Sequence, residues 1–419
     1  MGLRPDGYRN RLIDSRIEEY LRTFGAVNIE GPKWCGKTWS ARNQSNSEFQ
    51  LDEKNTVLVQ LDKSFALSGD SPRLIDEWQR VPSIWDEIMF HIDRTGTKGQ
   101  FIICGSSTPS MEQAFHSEAG KIGSLIMHTM SLYETGDSDG FASLNRMFDG
   151  NLETSSIQEI ELNHLIKLVI RGGWPGLLDS NTNATIANKD YLDKICNIDS
   201  TRIDGKKRNP HKMSLLIKSL ARNESTVVSD NSIIRDIKEY DNESISETTL
   251  SDYRNVLERL FVIRYQPAFN PYIRSSIRVG KTPKKRLADP SLAAAALGLT
   301  EKNAIDNLEY FGFLFKSLCE HDLEVYAEHL GGKLYHYRDN YNNEIDAVVE
   351  LPDGRWGAFE IKLGFHQVDK AAENLLRLKN RFKAEGKVPS VLCVICGMSV
   401  ASFRRPDGVF VVPITRLGP

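Results

Sequence analysis

The sequence has few cysteines, no long hydrophobic run and almost no excess of charge of either sign. Its 6 cysteines are scattered over 419 residues, which is typical of a reducing compartment and argues against a disulfide framework. The formal net charge of -3 gives no global field that would attract nucleic acid or a membrane surface. The uncharged stretch around Ser390–Val400 is far too short to span a membrane.

The first residues, Met1–Asn10, are polar and contain no apolar core, so we expect no secretory signal. With no membrane-spanning run, this predicts a cytoplasmic protein without a membrane partner.

Cys393 and Cys396 form C-x-x-C inside an apolar run, which predicts a buried strand because no second pair completes a zinc site. The length of 419 residues predicts several domains, at about 100 to 200 residues each.

A glycine-rich segment near the N-terminus matches every fixed position of G-x-x-x-x-G-K-[ST]: Gly31-Pro32-Lys33-Trp34-Cys35-Gly36-Lys37-Thr38. An apolar stretch precedes it and helix-compatible residues from Trp39 follow, as in a phosphate-binding loop. The loop N–H groups would surround phosphate oxygens. We therefore predict that residues 31–39 bind ATP, with Lys37 at the β and γ phosphates and Thr38 on Mg²⁺. A glycine-rich turn before a helix is the alternative interpretation.

A short apolar run downstream, Leu74-Ile75-Asp76-Glu77, predicts a strand that ends in two carboxylates. Placed after a phosphate-binding loop, it resembles a Walker B motif. We expect Asp76 to hold Mg²⁺ and Glu77 to polarise the attacking water, because phosphoryl transfer depends on positioning and charge neutralisation. An acidic helix cap after a strand is the alternative.

The rest of the N-terminal part alternates between helical and strand patterns. Ile13–Phe24 predicts a helix, while Thr56–Asp62 and Phe101–Ser107 predict strands. Ser106 or Ser107, at the end of the last of these strands, is predicted to contact the γ-phosphate or water, with a plain polar loop as the alternative. This alternation predicts an α/β fold with a parallel sheet and a ligand at its carboxyl ends.

The middle of the chain is mainly helical, with a glycine-rich break at 171–176. Three helical segments between 214 and 260, followed by the strand Phe261–Gln266, predict a winged-helix module. Its third helix lacks a basic face, which favours packing or protein binding over DNA. The basic run from Arg274 to Arg286 contains no acidic residue, so it would either neutralise DNA phosphates or simply be solvated.

The C-terminal part predicts a helix, Phe311–Tyr326, and then a hairpin with a Pro-Asp-Gly turn. Strand alternation puts Glu360 and Lys362 on one face, where Asp346 would join them. A metal ion between the two carboxylates, with Lys362 orienting water, would form a nuclease site. The spacing is loose, so the nuclease function stays an alternative.

The sequence resembles AAA-type ATPases of bacteria and archaea that join a P-loop core to a winged-helix segment and a C-terminal domain of unknown function with a PD-(D/E)xK endonuclease-like fold. The resemblance depends on these motifs: 31–38, Ile75-Asp76-Glu77-Trp78-Gln79-Arg80-Val81-Pro82, Cys104–Ser107, Met130-Ser131-Leu132-Tyr133-Glu134, Arg171-Gly172-Gly173-Trp174-Pro175, Ala288-Asp289-Pro290-Ser291-Leu292, Glu344–Asp346 and Glu360–Lys362. It implies a P-loop core at 1–135, a helical lid at 136–205, a winged-helix-like segment at 206–275 and an endonuclease-like domain at 276–419.

Two departures from this family affect the functional prediction. Between His116 and Met130 the family carries arginines that this chain lacks, which leaves Arg94 as a substitute. Before the hairpin the family has a glutamate where this chain has Lys316, with Glu320 one turn further on. The leading hypothesis is a Mg²⁺-dependent ATPase acting as a switch or motor on a protein or DNA substrate. The alternatives are a nucleotide-gated metal-dependent DNA nuclease and a nucleotide-bound regulator without catalysis; homo-oligomerisation is a further expectation.

Overall fold

The computed structural model describes residues 3–105, 120–157, 160–241, 245–339, 343–383 and 385–419. The N-terminal part is a five-stranded parallel sheet in the order β2-β3-β4-β1-β5, formed by β1 (Ala26–Glu30), β2 (Ser47–Gln50), β3 (Arg73–Asp76), β4 (Phe101–Cys104) and β5 (Ile122–Ile126). Among the described residues, the helices beside this sheet are α1 (Ile13–Thr23), α2 (Lys37–Asn43), α3 (Thr56–Leu61), α4 (Ser64–Leu67) and α5 (Ile84–Thr95). The α/β class and the parallel P-loop sheet are as predicted from the sequence.

The three central strands are almost entirely buried because both faces of the sheet are covered. All four residues of β3 and of β4 are buried, as are the first four of β1. The order places β4 directly beside β1, so the strand after the predicted Walker B motif separates β3 from the P-loop strand. The carboxyl ends of β1 and β3 therefore face the same edge of the sheet.

The predicted strand at Thr56–Asp62 is wrong, because these residues form the helix α3. Asp52 starts this helix: its carboxylate accepts hydrogen bonds from the backbone N–H groups of Lys54 and Asn55, both within 2.9 Å. The edge of the sheet beside β3 is taken by β2, whose residues have no apolar pattern. Val59 is the one buried side chain of α3, so the apolar run belongs to a surface helix that packs through one side.

The middle of the chain consists of short helices and two very short strands. They are α6 (Leu132–Thr135), α7 (Leu144–Phe148), α8 (Leu162–Arg171), α9 (Ala184–Lys194) and α10 (Ser200–Arg202), with a π-helical turn at Ile195–Asp199, and the strands β6 (Ala142–Ser143) and β7 (Ser155–Ser156). Both strands pair with the C-terminal end of the chain: β7 with the strand Ala401–Arg404 and β6 with the strand Leu417–Gly418. Residues of the predicted lid thus belong to C-terminal sheets.

The predicted helical segments around 214–260 are present as α11 (Pro210–Arg222), α12 (Asp230–Asp241) and α13 (Glu247–Arg259). The strand β8 (Ile263–Gln266) pairs antiparallel with β9 (Lys284–Leu287), with α14 (Ile277–Gly280) between them. Three helices followed by a hairpin agree with the predicted order of elements, while the assignment to the winged-helix class stays a prediction.

The C-terminal part is a seven-stranded mixed sheet in the order β10-β11-β12-β13-β15-β14-β7. Its strands are β10 (Lys333–Arg338), β11 (Glu344–Glu350), β12 (Trp356–Lys362), β13 (Val391–Cys396), β14 (Ala401–Arg404) and β15 (Phe410–Pro413), followed by β16 (Leu417–Gly418). The accompanying helices are α15 (Pro290–Ala296), α16 (Glu301–Ala304), α17 (Leu308–His329) and α18 (Val368–Lys383). The predicted helix at 311–326 and the predicted hairpin are both confirmed.

This sheet buries one apolar cluster on each face. Phe359 belongs to the cluster that contains Phe315 of α17, and the adjacent Ala358 belongs to the cluster that contains Leu375 of α18. Cys393 and Cys396 are three residues apart and lie in different clusters, so the two thiols point to opposite faces. The predicted burial of this C-x-x-C pair is confirmed.

One apolar cluster extends from Leu132 to Leu417, whereas the N-terminal sheet has two clusters of its own. The boundary falls between Met127, which belongs to an N-terminal cluster, and Leu132. The N-terminal sheet therefore meets the remainder of the chain across residues 128–131. None of the helices in the described part of the chain is both long enough and apolar enough to cross a membrane.

We expect Glu224 to give this fold a pH-dependent stability. Its buried carboxylate accepts hydrogen bonds from Ser317 Oγ at 2.6 Å and from the Leu287 backbone N–H, and burial raises its pKa to about 8. Since the folded chain holds this proton more tightly than the unfolded chain, the stabilisation is complete near pH 4 and is lost as the pH rises to about 8. We expect Glu224→Gln to flatten this slope in urea-denaturation midpoints measured from pH 5 to 8. An unchanged slope would contradict the assignment.

Candidate functional site

The glycine-rich loop between β1 and α2 has a backbone that only glycine permits at two positions. Gly31 has φ 148°, and a Cβ atom there would lie 2.2 Å from the Met127 carbonyl oxygen. Gly36 has φ 104° at the start of α2. The Lys37 Nζ donates hydrogen bonds to the carbonyls of Gly31 and Pro32, each at 2.8 Å. The conformation of the loop and the position of its lysine are thus fixed by local geometry.

The predicted carboxylates lie beside this loop at the end of β3. Thr38 Oγ1 donates to Asp76 Oδ2 at 3.0 Å, which brings together the two residues predicted to hold Mg²⁺. Burial raises the pKa of Asp76. Glu77 has φ 57°, an uncommon value for a residue with a side chain, and its carboxylate accepts a hydrogen bond from Gln79 Nε2 at 2.6 Å. Gln79 therefore orients the residue predicted to activate water.

A cavity of ≈ 840 Å³ opens between the loop, the end of β3 and the segment that follows α8. This volume lies within the range of about 300–1,000 Å³ that ligand pockets occupy. Its lining includes these predicted site residues: Lys33, Trp34, Gly36, Lys37, Thr38, Trp39, Asp76 and Glu77. Gly31, Pro32 and Cys35 do not line it; Cys35 is buried with its carbonyl bonded to Arg11 Nη1 at 2.9 Å. Ser106 and Ser107 lie outside the described residues.

Four arginines line the cavity and were missed from the sequence: Arg9, Arg11, Arg80 and Arg202. Arg94, the substitute named from the sequence, lies in the last turn of α5 and does not line the cavity. Arg80 lies three residues after Glu77, and this proximity to the Walker B motif was the one available signal. Arg202 is brought in by the helices that follow α9. Neither Arg80 nor Arg202 has a side-chain partner within the described ranges of the chain.

The loop is also held by the middle of the chain. Trp34 stacks on the buried Trp174, with ring centroids 6.0 Å apart, and Trp174 Nε1 donates to Ser291 Oγ at 3.0 Å. Lys33 Nζ lies 2.5 Å from Asp199 in the π-helical turn. Two loop residues thus contact two separate segments outside the N-terminal sheet, which links the loop conformation to the placement of those segments.

Three motifs that are far apart in the sequence meet at Asp289. Its Oδ2 accepts hydrogen bonds from Thr129 Oγ1 at 2.7 Å and from the Gly173 backbone N–H at 2.9 Å. A Cβ atom on Gly173 would lie 2.0 Å from the Met130 carbonyl oxygen, so only glycine allows this approach. Asp289 therefore joins the end of the N-terminal sheet to the 171–176 loop.

Arg11 connects the glycine-rich loop to residues 128–131, the joint between the N-terminal sheet and the rest of the chain. Its guanidinium is buried and donates to the carbonyls of Cys35 and His128, each at 2.9 Å, and to Glu134 Oε1 at 3.0 Å. His128 Nε2 lies 3.1 Å from Glu328 of α17, and the Leu132 N–H donates to Asp322 of the same helix at 3.0 Å. A short path of hydrogen bonds therefore runs from the loop to α17.

The residues predicted to form a nuclease site are brought together in the C-terminal sheet. Lys362 Nζ lies 2.7 Å from Glu360 Oε2 and 3.2 Å from Asp346 Oδ2. Lys316 of α17 also reaches this cluster, with its Nζ 2.6 Å from Asp346 Oδ1. Burial would raise the pKa of Asp346, but the ammonium groups of Lys316, Lys362 and Lys284 hold it below its usual range. Burial and the neighbouring Asp346 raise the pKa of Glu360 to about 7.

The basic run at 274–286 is largely paired within the chain, which corrects both interpretations of it from the sequence. Lys284 and Arg286 are buried against acidic residues of α17, at 3.0 Å from Glu320 and 2.6 Å from Glu324 respectively. Arg278 lies 2.8 Å from Glu350. Strand alternation in β9 and contacts from a distant helix produce this burial, and neither is visible in a run of like charges.

Three family models match successive parts of the chain. Residues 23–136 match an AAA domain, residues 162–303 match a domain of unknown function (DUF8612), and residues 311–417 match a domain of unknown function (DUF4143). The match to the AAA domain includes the glycine-rich loop, Asp76 and Glu77. It supports ATP binding at this site.

Similar proteins were found among curated sequences and solved structures. The chain is 24% identical over 357 residues to the uncharacterized protein Rv2008c of Mycobacterium tuberculosis, covering 83% of this chain and 72% of that protein, and the same values hold for Mb2031c of Mycobacterium bovis. Among solved structures, it is similar to the Walker-type ATPase PABY2304 of Pyrococcus abyssi at 15% identity, covering 71% of this chain and 98% of that one, with a TM-score of 0.42.

Proposed function

Because this chain carries an AAA-type P-loop domain followed by a C-terminal domain of unknown function, we propose that it binds and hydrolyses Mg²⁺-ATP as a nucleotide-driven switch or motor. The observation that supports this most directly is the convergence of Lys37, Thr38, Asp76 and Glu77 on one cavity. Phosphoryl transfer needs a cation, hard oxygen ligands for Mg²⁺ and a group that orients water, and these residues supply them.

The residues near the loop fit a magnesium ion. Thr38 and Asp76 offer hydroxyl and carboxylate oxygens 3.0 Å apart, the ligand type that Mg²⁺ takes. When bound, the ion would neutralise charge on the phosphates. Lys37 would hold the β and γ phosphates, and the backbone N–H groups of residues 31–36 would cradle them. Trp34 and Trp39, each 45% exposed, would contact the rest of the nucleotide.

Glu77 is proposed as the group that orients the attacking water and accepts its proton. Its carboxylate has a fixed partner in Gln79 at 2.6 Å, and its backbone N–H donates to Asp76 Oδ1 at 3.2 Å. We further propose that Arg80 and Arg202 neutralise phosphate charge from within the same chain, since both line the cavity. Such cations stabilise the transition state of phosphoryl transfer.

We expect Glu77→Gln to bind ATP as wild type does but to release phosphate about 100-fold more slowly or worse. The amide keeps the shape of the side chain but cannot accept a proton. Phosphate release under saturating Mg²⁺-ATP measures the effect, and nucleotide binding is followed by tryptophan fluorescence. Glu53→Gln, an exposed acid before α3, is the matched control. Equal turnover in the two variants would remove Glu77 from the mechanism.

We propose that the nucleotide site is coupled to the C-terminal part of the chain. The division of the apolar core into separate clusters supports this proposal. The N-terminal sheet has its own apolar clusters, and the cluster from Leu132 to Leu417 begins beyond the joint at 128–131. Arg11, His128 and Asp289 make the polar contacts that join the two parts at this joint. ATP state would thus reposition residues 132–417 relative to the loop, acting on a protein or DNA substrate.

The domain limits proposed from the sequence are 1–135, 136–205, 206–275 and 276–419, with a winged-helix-like third unit and an endonuclease-like fourth. The nuclease alternative finds no support in the Asp346 cluster, for the reason developed below. The regulator alternative makes a distinct prediction, namely saturable ATP binding with no Lys37-dependent phosphate release. Sedimentation with and without nucleotide would test the proposed homo-oligomer.

A further inference from the structure

Asp346, Glu360, Lys316 and Lys362 form a group of charged side chains that we call the C-terminal cluster. Three of the four oxygens of its two carboxylates already accept from a donor. Asp346 Oδ1 faces Lys316 Nζ at 2.6 Å, and its Oδ2 accepts from the Ile361 backbone N–H at 2.9 Å and from Lys362 at 3.2 Å. Glu360 Oε2 accepts from Lys362 at 2.7 Å. A divalent cation would have to displace these donors, because its oxygen ligands must approach to about 2.0–2.6 Å.

The charges of the cluster are also balanced without a metal ion. Asp346 and Glu360 contribute two buried carboxylates, and Lys316 and Lys362 contribute two ammonium groups. Adding a divalent cation would leave excess positive charge in a buried region, where charges interact strongly. Hard divalent cations bind where carboxylates outnumber cationic side chains, and that condition is not met here.

Glu320, the acid one turn further along α17, does not restore the missing ligand. Its side chain is fully buried and its Oε1 lies 3.0 Å from Lys284 Nζ. Lys284 in turn donates to the Asp346 backbone carbonyl at 2.7 Å, so an ammonium group stands between Glu320 and Asp346. The carboxylate of Glu320 is therefore already paired with the ammonium group of Lys284.

The cluster is one end of a stripe of ion pairs along α17. Glu320, Glu324 and Glu328 follow Lys316 at intervals of four residues, so they lie on one face of the helix. Glu324 meets Arg286 at 2.6 Å and Arg264 at 2.9 Å. His128, Glu324 and Glu328 are close enough together to hold a metal ion, but Arg264 Nη2 lies 3.4 Å from His128 Nε2 and fills that position too.

We infer that Lys316 is a built-in counter-cation that takes the place of a metal ion between Asp346 and Glu360. The C-terminal cluster is therefore an ion-pair site that is complete without a metal ion. It does not bind Mg²⁺ or Mn²⁺ and does not cleave phosphodiesters, and its role is to anchor α17 to the hairpin of β11 and β12. This inference is independent of ATP hydrolysis at the glycine-rich loop.

The test is a Mn²⁺ titration of the nucleotide-free full chain, with free Mn²⁺ followed by electron paramagnetic resonance up to about 1 mM. We expect no saturable site in wild type that depends on Asp346. Lys316→Glu removes the cation and adds a carboxylate, so it should gain one Mn²⁺ site that saturates below about 1 mM, where wild type shows none. Adding Asp346→Asn should abolish this site. Lys370→Glu, an exposed residue of α18, controls for the change in net charge.

Two outcomes would overturn the inference. The first is saturable Mn²⁺ binding by wild type that Asp346→Asn removes. The second is a folded Lys316→Glu variant that gains no site over Lys370→Glu. If circular dichroism shows that Lys316→Glu does not fold, Lys316→Ser takes its place, and the comparison of wild type with Asp346→Asn still decides. Incubation of each protein with Mn²⁺ and linear or supercoiled DNA gives a second readout, in which wild type should make no Asp346-dependent cuts.

Discussion

Replacing Lys37 with alanine should lower ATP turnover by about 100-fold or more, to the background of phosphate release. Its ammonium group lies at the mouth of the loop, bonded to the Gly31 and Pro32 carbonyls, and lines the same cavity as Asp76 and Glu77. The variant therefore removes the cation that the motif places at the β and γ phosphates. Phosphate release at saturating Mg²⁺-ATP is the primary measurement.

The matched control is Lys33→Ala, in the same loop. The Lys33 Nζ lies 2.5 Å from Asp199, so the charge of its side chain is already paired within the protein. We expect its turnover to stay within a few-fold of wild type. Titration with a nucleotide analogue, followed by the fluorescence of Trp34 and Trp39, separates binding from chemistry. Equal loss in both variants would mean that the loop as a whole, rather than Lys37, carries the effect.

Replacing Lys284 with methionine should destabilise the protein by about 3–5 kcal/mol, because it leaves Glu320 charged and buried without its hydrogen-bonded partner. Both side chains of this pair are 0% exposed. The double variant Lys284→Met with Glu320→Met should recover most of the loss, since Arg286 keeps Glu324 at 2.6 Å. Urea denaturation followed by circular dichroism measures the unfolding midpoints.

Arg274→Met is the control for this experiment because Arg274 is an exposed member of the same basic run. We expect its effect to lie within about 0.5 kcal/mol, as for most surface substitutions. If Lys284→Met were no more destabilising than Arg274→Met, the burial of Lys284 would be wrong. The run would then have to be reconsidered as a solvent-facing surface for nucleic acid.

Local signals in the sequence identified the parts of the site that lie close together in the chain. The loop from Gly31 to Thr38 and the end of β3 at Asp76 were placed from spacing and apolar runs. The same reasoning failed at Thr56–Asp62, because an apolar run of that length fits a strand and a surface helix equally well. The turn at Asp52 and the pairing of β2 decided for the helix.

Long-range contacts determined the features that the sequence missed. Arg202 lines the cavity only because the segments after α8 fold back on the loop, where Asp199 pairs with Lys33. Trp174 lies in a glycine-rich break whose role was open from the sequence, and it stacks against Trp34. Arg11 precedes the first strand without any motif, yet it contacts both the loop and His128.

The sequence by itself determined the P-loop, the carboxylates after β3 and the alternation that predicts a parallel sheet. These depend on backbone conformation and side-chain period, which neighbouring residues impose. Only the tertiary structure decided which charges are available for chemistry. Lys284 and Lys316 are identical in type to exposed lysines, but α17 and β9 place them against buried carboxylates, and the cost of burying an unpaired charge fixes them there.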